Sequence, residues 1–301
     1  VLEARQPAWG ASGRNAGHVL PILRDMRVLD RFPDHGRRFL ELFREHHTIP
    51  FDLSAKHAID CDAVQSGYIN GMKTRRAYDA FLKEFAYLEE QGIQQLVELS
   101  SEEMKQRTGS SAYPYGVVFE GGGRVNPYLF TNGMIEVAAC FGARVFGDTP
   151  ALAVERMAAV WRVRTRSGSV TAQRIVFCTN AYPADIQPAF QRAFYPLTAY
   201  ALTTKPLPAE ALDIILPSGG TFAQAPVDLN PLVRDRHNRL ILSSIPKVGG
   251  AHDAEWHFRS QLSWLHRAWP ETQGMAIEPE AYWTGRVAMR NTQFPGVFEL
   301  G

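Results

Sequence analysis

Val1-Leu2-Glu3-Ala4-Arg5-Gln6-Pro7-Ala8-Trp9-Gly10-Ala11-Ser12-Gly13-Arg14-Asn15-Ala16-Gly17-His18 is the stretch whose reading decides the fold. An apolar strand end delivers an acidic residue, and a loop of Gly, Ala and Ser follows within a few positions. The second strand of a dinucleotide-binding βαβ unit ends this way, with a carboxylate placed to accept a hydrogen bond from a ribose hydroxyl. The Gly-rich turn that precedes such a strand by roughly 20 residues is not among these residues. As a ribose ligand Glu3 needs that turn; as a strand-terminal charge it needs nothing. The loop from Gly10 to Gly17 also has two readings. It is either a flexible surface turn or a place where small residues let backbone N–H groups approach a flat ring or a pyrophosphate, with Ser12, Arg14 and Asn15 as polar contacts. No Lys-Ser/Thr follows, as a phosphate loop requires, and Ser12 lacks the glycine two places earlier that marks a nucleophile elbow.

Outward from this stretch, the apolar spacing of Phe39, Leu40, Leu42 and Phe43 predicts an amphipathic helix between Phe32 and His47. Gly67 to Met72 reads as a strand, and Tyr78, Phe81, Leu82, Phe85 and Leu88 place one helical stripe on Arg75 to Gln91, closed by Gly92. Ser100 to Glu103 is a capping-box helix start. Pro127 opens a helix to about Phe141, ended by Gly142, and a strand follows around Arg144 to Phe146. Val160 to Arg166 alternates apolar and charged residues; Gly168 then turns the chain into Ser169 to Cys178, whose end is apolar enough for a buried strand. From Tyr195 to Leu240 the pattern is β-rich, broken by Pro206, Pro208, Pro217, Pro226 and Pro231. Arg239 to Ser244 reads as a strand, Ala254 to Trp269 as a helix, and Tyr282 to Arg286 leads to Pro295-Gly296.

The 301 residues suffice for two domains, and a composition of 45% hydrophobic, 21% charged and 11% aromatic residues can bury a full core. A net charge of +1 leaves no basic field that would steer nucleic acid. Cys61, Cys140 and Cys178 share no CxxC spacing, which argues against a disulfide framework or zinc site and fits a reducing, cytoplasmic setting. No apolar run reaches the length of a membrane span. His46-His47, and His252 with His257, lack a third ligand and read as surface positions, so no metal is expected.

The segment from Glu3 through Gly17 resembles the flavin-contacting loop of the D-amino acid oxidase superfamily of FAD-dependent oxidoreductases, nearest to the gamma-glutamylputrescine oxidase-like branch. The likeness recurs in family order at Gly123-Arg124-Val125-Asn126-Pro127, at Gly142 to Val145 with Asp148 to Leu152, at Phe177 to Tyr182, and at Trp283-Thr284-Gly285 with Pro295-Gly296. It implies a mixed α/β (α+β) fold: a Rossmann-like FAD-binding domain (1–50, 125–185 and 283–301) with an antiparallel-sheet substrate domain inserted discontinuously (51–124 and 186–282). It also implies that the chain is truncated at both ends, without the GxGxxG fingerprint and the last Gly-rich helix start, so that these residues alone would bind FAD weakly.

By the same resemblance, noncovalent FAD would be held by Glu3, Ser12, Gly13, Arg14, Asn15, Ala16, Gly17, Ala151, Thr179 and Asn180. His18 is the candidate near the flavin, tuning it or orienting substrate; otherwise it is a capping or core histidine. Tyr68, Tyr200, Trp283 and Arg286 are candidates for the substrate pocket, although most aromatics in such a sheet are simply core. Glycine-oxidising members carry an arginine two residues after the Gly of Trp-x-Gly to hold a substrate carboxylate. That position is Val287 here, with Arg286 one place earlier and so on the opposite strand face. The resemblance then implies oxidation of a primary or secondary amine, such as a polyamine derivative, by hydride transfer to flavin N5, with oxygen or another acceptor taking the electrons. An inactive flavoprotein-fold module and an NAD-linked dehydrogenase are the alternatives.

Overall fold

The computed structural model describes residues 1–21, 26–90, 96–182, 186, 188–225, 230–246, 253–290 and 299. Gly92, Pro226, His252 and Pro295-Gly296 lie outside these residues. The α-helices are α1 (Ala11–Arg14), α2 (Arg37–His46), α3 (Ile49–Lys56), α4 (Arg75–Glu90), α5 (Ser101–Thr108), α6 (Pro127–Cys140) and α7 (Ala254–Ala268). The strands are β1 (His18–Val19), β2 (Tyr68–Met72), β3 (Leu96–Leu99), β4 (Tyr115–Phe119), β5 (Gly123–Arg124), β6 (Ala153–Met157), β7 (Val160–Arg164), β8 (Ser169–Ala172), β9 (Tyr195–Thr204), β10 (Thr221–Gln224), β11 (Leu232–Arg234), β12 (Leu240–Ser244) and β13 (Pro279–Met289).

Local signals account for many of these bounds. The α4 stripe buries Tyr78, Phe81, Phe85 and Leu88. Ser100 and Glu103 complete the expected capping box: the Ser100 hydroxyl accepts from the Glu103 N–H, and the Glu103 carboxylate accepts from the Ser100 N–H. Asn126 caps α6 by accepting from the N–H groups of Tyr128 and Leu129, and Pro127 occupies the first turn where its missing donor costs nothing.

The main sheet runs in the order β13-β9-β12-β11-β10-β2-β4-β3. It is antiparallel except at β10–β2, which pair in parallel. One face carries Ile69, Val118, Leu202, Phe222, Leu232, Leu240 and Leu242 and packs with Met104 of α5 and Trp264 and Leu265 of α7. The other face carries Tyr68, Met72, Val117, Phe119 and Ala223; at the β2–β4 end it packs under α4. Residues 283–289, expected with the first domain, continue β13 without a break and stay paired to β9 through Met289↔Tyr195.

Outside that sheet, β6-β7-β8 form an antiparallel meander. The opening strand pairs in parallel with residues 144–148: the Phe146 N–H donates to Val1 O at 3.0 Å, Glu3 N–H to Phe146 O at 2.9 Å, and Asp148 N–H to Arg5 O at 2.9 Å. A neighbouring strand in parallel is what a βαβ strand end requires. The ribbon β1–β5, with His18 opposite Arg124 and Val19 opposite Gly123, ties the end of the opening loop to the turn before α6.

Two expectations fail. The run Arg174 to Cys178 forms no ladder, and Val176 is 82% exposed. An apolar run marks burial only where a neighbouring strand offers its backbone, and among the described residues none does so here. His257 is not a surface residue: it is 1% exposed and stacks on Tyr200 with ring centroids 3.9 Å apart. Its partner stack, Tyr282, shares a 3.1 Å hydrogen bond with His257 Nδ1. By contrast His46 is exposed on α2.

Candidate functional site

The loop that follows the opening strand lies along the sheet face that carries Tyr68 and Trp283. At one end His18 meets Tyr68 edge to face, with centroids 5.6 Å apart. At the other, the Trp283 indole N–H donates to Arg14 O at 2.7 Å. Register places Tyr68, Thr221, Val233, Ile241, Thr203, Ala201 and Trp283 on this one face. Tyr200 is one residue out of phase. It points to α7, where Gln261 Nε2 donates to its hydroxyl at 2.8 Å, so it is removed from the pocket candidates. Arg286 is likewise out of phase with Trp283 and is exposed, while Val287 shares the Trp283 face. The arginine therefore does not reach the site face.

Glu3 sits at the end of the opening strand with its carboxylate fixed: Oε1 accepts from the Arg5 N–H at 2.9 Å. Asn15 is occupied locally. Its amide donates to Ala11 O and Ser12 O, closing α1, and its Oδ1 accepts from the Gly17 N–H at 2.8 Å. Gly13 and Gly17 are glycines because protein backbone approaches them. A Cβ on Gly13 would lie 2.1 Å from Ala8 O, and one on Gly17, at φ +83°, would lie 2.2 Å from Val125 O. Gly10 has open space on its Cβ side, Ser12 is exposed and Ala16 is buried. Ala151 sits where the parallel pair passes into β6, between Thr149, which donates to Glu3 O, and Leu152, which donates to Arg164 O. Thr179 O accepts from the Tyr182 N–H at 2.9 Å, and Asn180 Oδ1 accepts from the Ala288 N–H at 3.0 Å.

Sequence reasoning missed three contributors. Tyr182 accepts from Arg14 Nη2 at 3.1 Å and from the Arg286 N–H at 2.8 Å. Trp9 lies under the Arg14 guanidinium at 4.3 Å and meets Tyr182 edge-on. Arg124, opposite His18, forms a buried two-pronged pair with Asp62: Nη2 to Oδ1 at 2.9 Å and Nε to Oδ2 at 3.3 Å. Its signal was available in Gly123-Arg124-Val125-Asn126-Pro127, but nothing in the sequence names Asp62 as the partner.

Burial pushes the His18 imidazole down to about 3, so it is neutral at physiological pH. Among the described residues, neither of its ring nitrogens nor the buried Arg14 Nε has a hydrogen-bond partner. Three orphaned polar atoms along one loop, an acidic strand end and the open side of Gly10 fit a polar, partly aromatic ligand such as FAD. Stability follows from the His18 shift. The unfolded imidazole takes up a proton below pH 6.5 and the folded one does not, so stability falls as pH drops from 6.5 toward 3, by about 1.4 kcal/mol per pH unit. In urea unfolding between pH 4.5 and 6.5, His18→Gln is expected to flatten the slope by that amount. An unchanged slope would show that His18 is not buried as described.

Among the described residues no group of His, Cys, Asp and Glu could hold a metal, and no helix is long and apolar enough to cross a membrane. The three cysteines are free thiols. A parallel strand pair at the opening of the chain accompanies a large mixed sheet, with the loop between Gly10 and Gly17 set against one sheet face. The chain belongs to the FAD dependent oxidoreductase (DAO) family, whose profile matches residues 1–300. FAD is therefore its cofactor, and the NAD-linked alternative is set aside.

Among curated proteins the chain is 25% identical to gamma-glutamylputrescine oxidoreductase of Escherichia coli (strain K12) over 306 residues, covering 98% of this chain and 69% of that one. Among solved structures it is similar to glycine oxidase from Geobacillus kaustophilus, with a TM-score of 0.72 and 18% identity over 98% of this chain and 77% of the other. L-amino acid deaminase from Proteus vulgaris gives a TM-score of 0.72 at 17% identity, over 99% and 74% of the two chains. The chain is thus an FAD-dependent oxidoreductase of the class that contains amine and amino-acid oxidoreductases.

Proposed function

We propose that this chain carries the FAD-facing loop and the substrate wall of an enzyme that oxidises a primary or secondary amine, such as a polyamine derivative, with FAD held noncovalently. One observation carries the substrate reading: Val287, not an arginine, stands on the Trp283 face, and Arg286 points the other way. The facing positions Ala201, Thr203, Ile241 and Ser243 on β9 and β12 are also uncharged. A substrate carboxylate would find no cation at any of these positions. The E. coli relative, named for gamma-glutamylputrescine, supports an amine substrate.

Glu3 would accept from the adenosine ribose, while Arg14 Nε and the two His18 nitrogens offer polar contacts to the rest of the group. When bound, FAD supplies the hydride acceptor for C–N oxidation; the substrate leaves as an imine that water hydrolyses to a carbonyl compound. His18, held neutral by burial, is far too weak a base to take a proton from an ammonium. It orients, and the amine must arrive or become neutral by another route. Trp283 and Tyr68 flank the loop, the first donating its indole N–H to Arg14 O and the second meeting His18 edge to face.

The test is an anaerobic screen of the FAD-saturated protein against primary amines, secondary amines and α-amino acids, read as loss of oxidised-flavin absorbance. Amines are expected to bleach the flavin and glycine is not; bleaching by α-amino acids alone would overturn the reading. Val287→Arg adds a cation to the site face. A charge-assisted contact of about 1.5–3 kcal/mol is expected to raise the preference for an α-amino acid over the parent amine by roughly 10- to 100-fold. An unaltered preference would place residue 287 away from substrate.

A further inference from the structure

We infer that Tyr182 is a positioning residue that fixes the cofactor-side loop to the substrate wall, so that residues 9–17 and β13 are ordered together. The phenol oxygen receives two donors from distant parts of the chain: Arg14 Nη2 at 3.1 Å from the loop, and the backbone N–H of Arg286 at 2.8 Å from β13. Among the described residues β13 is an edge strand paired only to β9, and its outward N–H groups are the ones that Tyr182 and Asn180 serve. Asn180 serves the next outward donor, accepting from the Ala288 N–H at 3.0 Å. The segment Thr179 to Tyr182 thus acts as a surrogate strand made of side chains.

A second link closes the ring. Trp283 Nε1 donates to Arg14 O at 2.7 Å, so β13 holds the main chain of the residue whose side chain reaches Tyr182. The Arg14 guanidinium lies flat over Trp9 at 4.3 Å, and Trp9 meets Tyr182 edge-on at 5.5 Å. Each contact is modest alone, but they form a closed circuit through Arg14, Tyr182, Arg286 and Trp283. A closed circuit fixes relative position better than any one bond, because moving either segment breaks two bonds at once. The same strand presents Trp283 and Val287 to the site face. The separation between cofactor loop and substrate wall is therefore held by two links, the Tyr182 phenol oxygen and the direct Trp283–Arg14 hydrogen bond.

The inference rests on the FAD reading only for its second measurement. In the protein without added cofactor, Tyr182→Phe is expected to raise amide exchange about fivefold to tenfold in segments 9–17 and 283–289 together, one hydrogen bond's worth, with β2 and β4 unchanged. Arg14→Met should raise exchange in both segments as well, and the double variant should fall short of the sum of the two single effects, because both remove the one Arg14–Tyr182 bond. A rise in one segment alone, a general rise that includes β2 and β4, or strict additivity would overturn the inference. The second measurement is FAD affinity by quenching of flavin fluorescence, where Tyr182→Phe should weaken binding by about the same factor. Exchange that rises as expected while affinity holds would show that the loop ordered by the clasp does not hold the cofactor, and would overturn the inference in that form. If the unsubstituted chain binds no FAD, the proposed function fails for this chain and the exchange measurement alone decides on Tyr182.

Discussion

Arg124→Met is expected to lower the unfolding free energy by about 3–5 kcal/mol, the usual cost of stranding a buried charge. Arg124 and Asp62 side chains are 7% and 9% exposed, so water cannot replace the lost partner. The pair is also embedded: Arg124 Nη1 donates to Gly219 O, and Asp62 Oδ2 accepts from the Arg236 N–H at 3.0 Å. One offset exists. The Arg234 guanidinium is depressed below its ordinary value first by burial and then by the charge of Arg124, so losing Arg124 relieves it slightly. Urea unfolding measures the cost. Pairing Arg124→Met with Asp62→Leu should recover most of it, because two apolar side chains leave no uncompensated charge. If the single variant loses less than about 1 kcal/mol, the pair behaves like a surface ion pair and its burial is wrong. The damage should also reach the site, because Arg124 is the ladder partner of His18.

Gly17→Ala is expected to cost about 2–5 kcal/mol, combining the left-handed backbone penalty with steric overpacking. At φ +83° an L side chain is strained, and its Cβ would lie 2.2 Å from the O of Val125, the residue whose N–H donates to Gly17 O at 2.9 Å. Relieving that contact means parting Gly17 from Val125, which breaks the Val125 N–H to Gly17 O bond next to β1–β5. Gly10→Ala is the control, because no atom lies within 4 Å of its Cβ position. There the stability cost should stay within about 1 kcal/mol. A Gly10→Ala protein of near-normal stability but weakened FAD affinity would show that the open side of Gly10 is where ligand approaches. Equal stability of the Gly17→Ala and parent proteins would mean that the close contact with Val125 is not formed.

Much of the fold was legible because it is written locally. The α4 stripe, the Ser100–Glu103 box, the Asn126-Pro127 start and the strands at 68–72 and 240–244 depend on neighbours within a few residues. What escaped depends on partners far along the chain. The apolar run 174–178 looks like any buried strand until one asks which backbone lies beside it. Tyr200 and Trp283 look equivalent as aromatics in a sheet, and only register across β9 and β13 separates their faces. His257 reads from the sequence as a surface residue for want of a third metal ligand; two tyrosines from two different strands make it core. In the loop, the sequence leaves the glycines two readings, a flexible surface turn or room for a ligand. The structure assigns Gly13 and Gly17 to protein backbone and leaves Gly10 alone facing open space.

Strand β13 carries one further consequence. Its register against β9 already slips once, between Pro279 and Ala281, so the strand tolerates an extra residue near its start. Were such a slip to occur beyond Gly285, every side chain after it would change sides: Arg286 would turn inward and Val287 outward. Recognition of a carboxylate would then be gained by a single insertion or deletion, with no new side chain invented. On the proposed amine reading, the two opposite substrate preferences would stand one step of strand pairing apart.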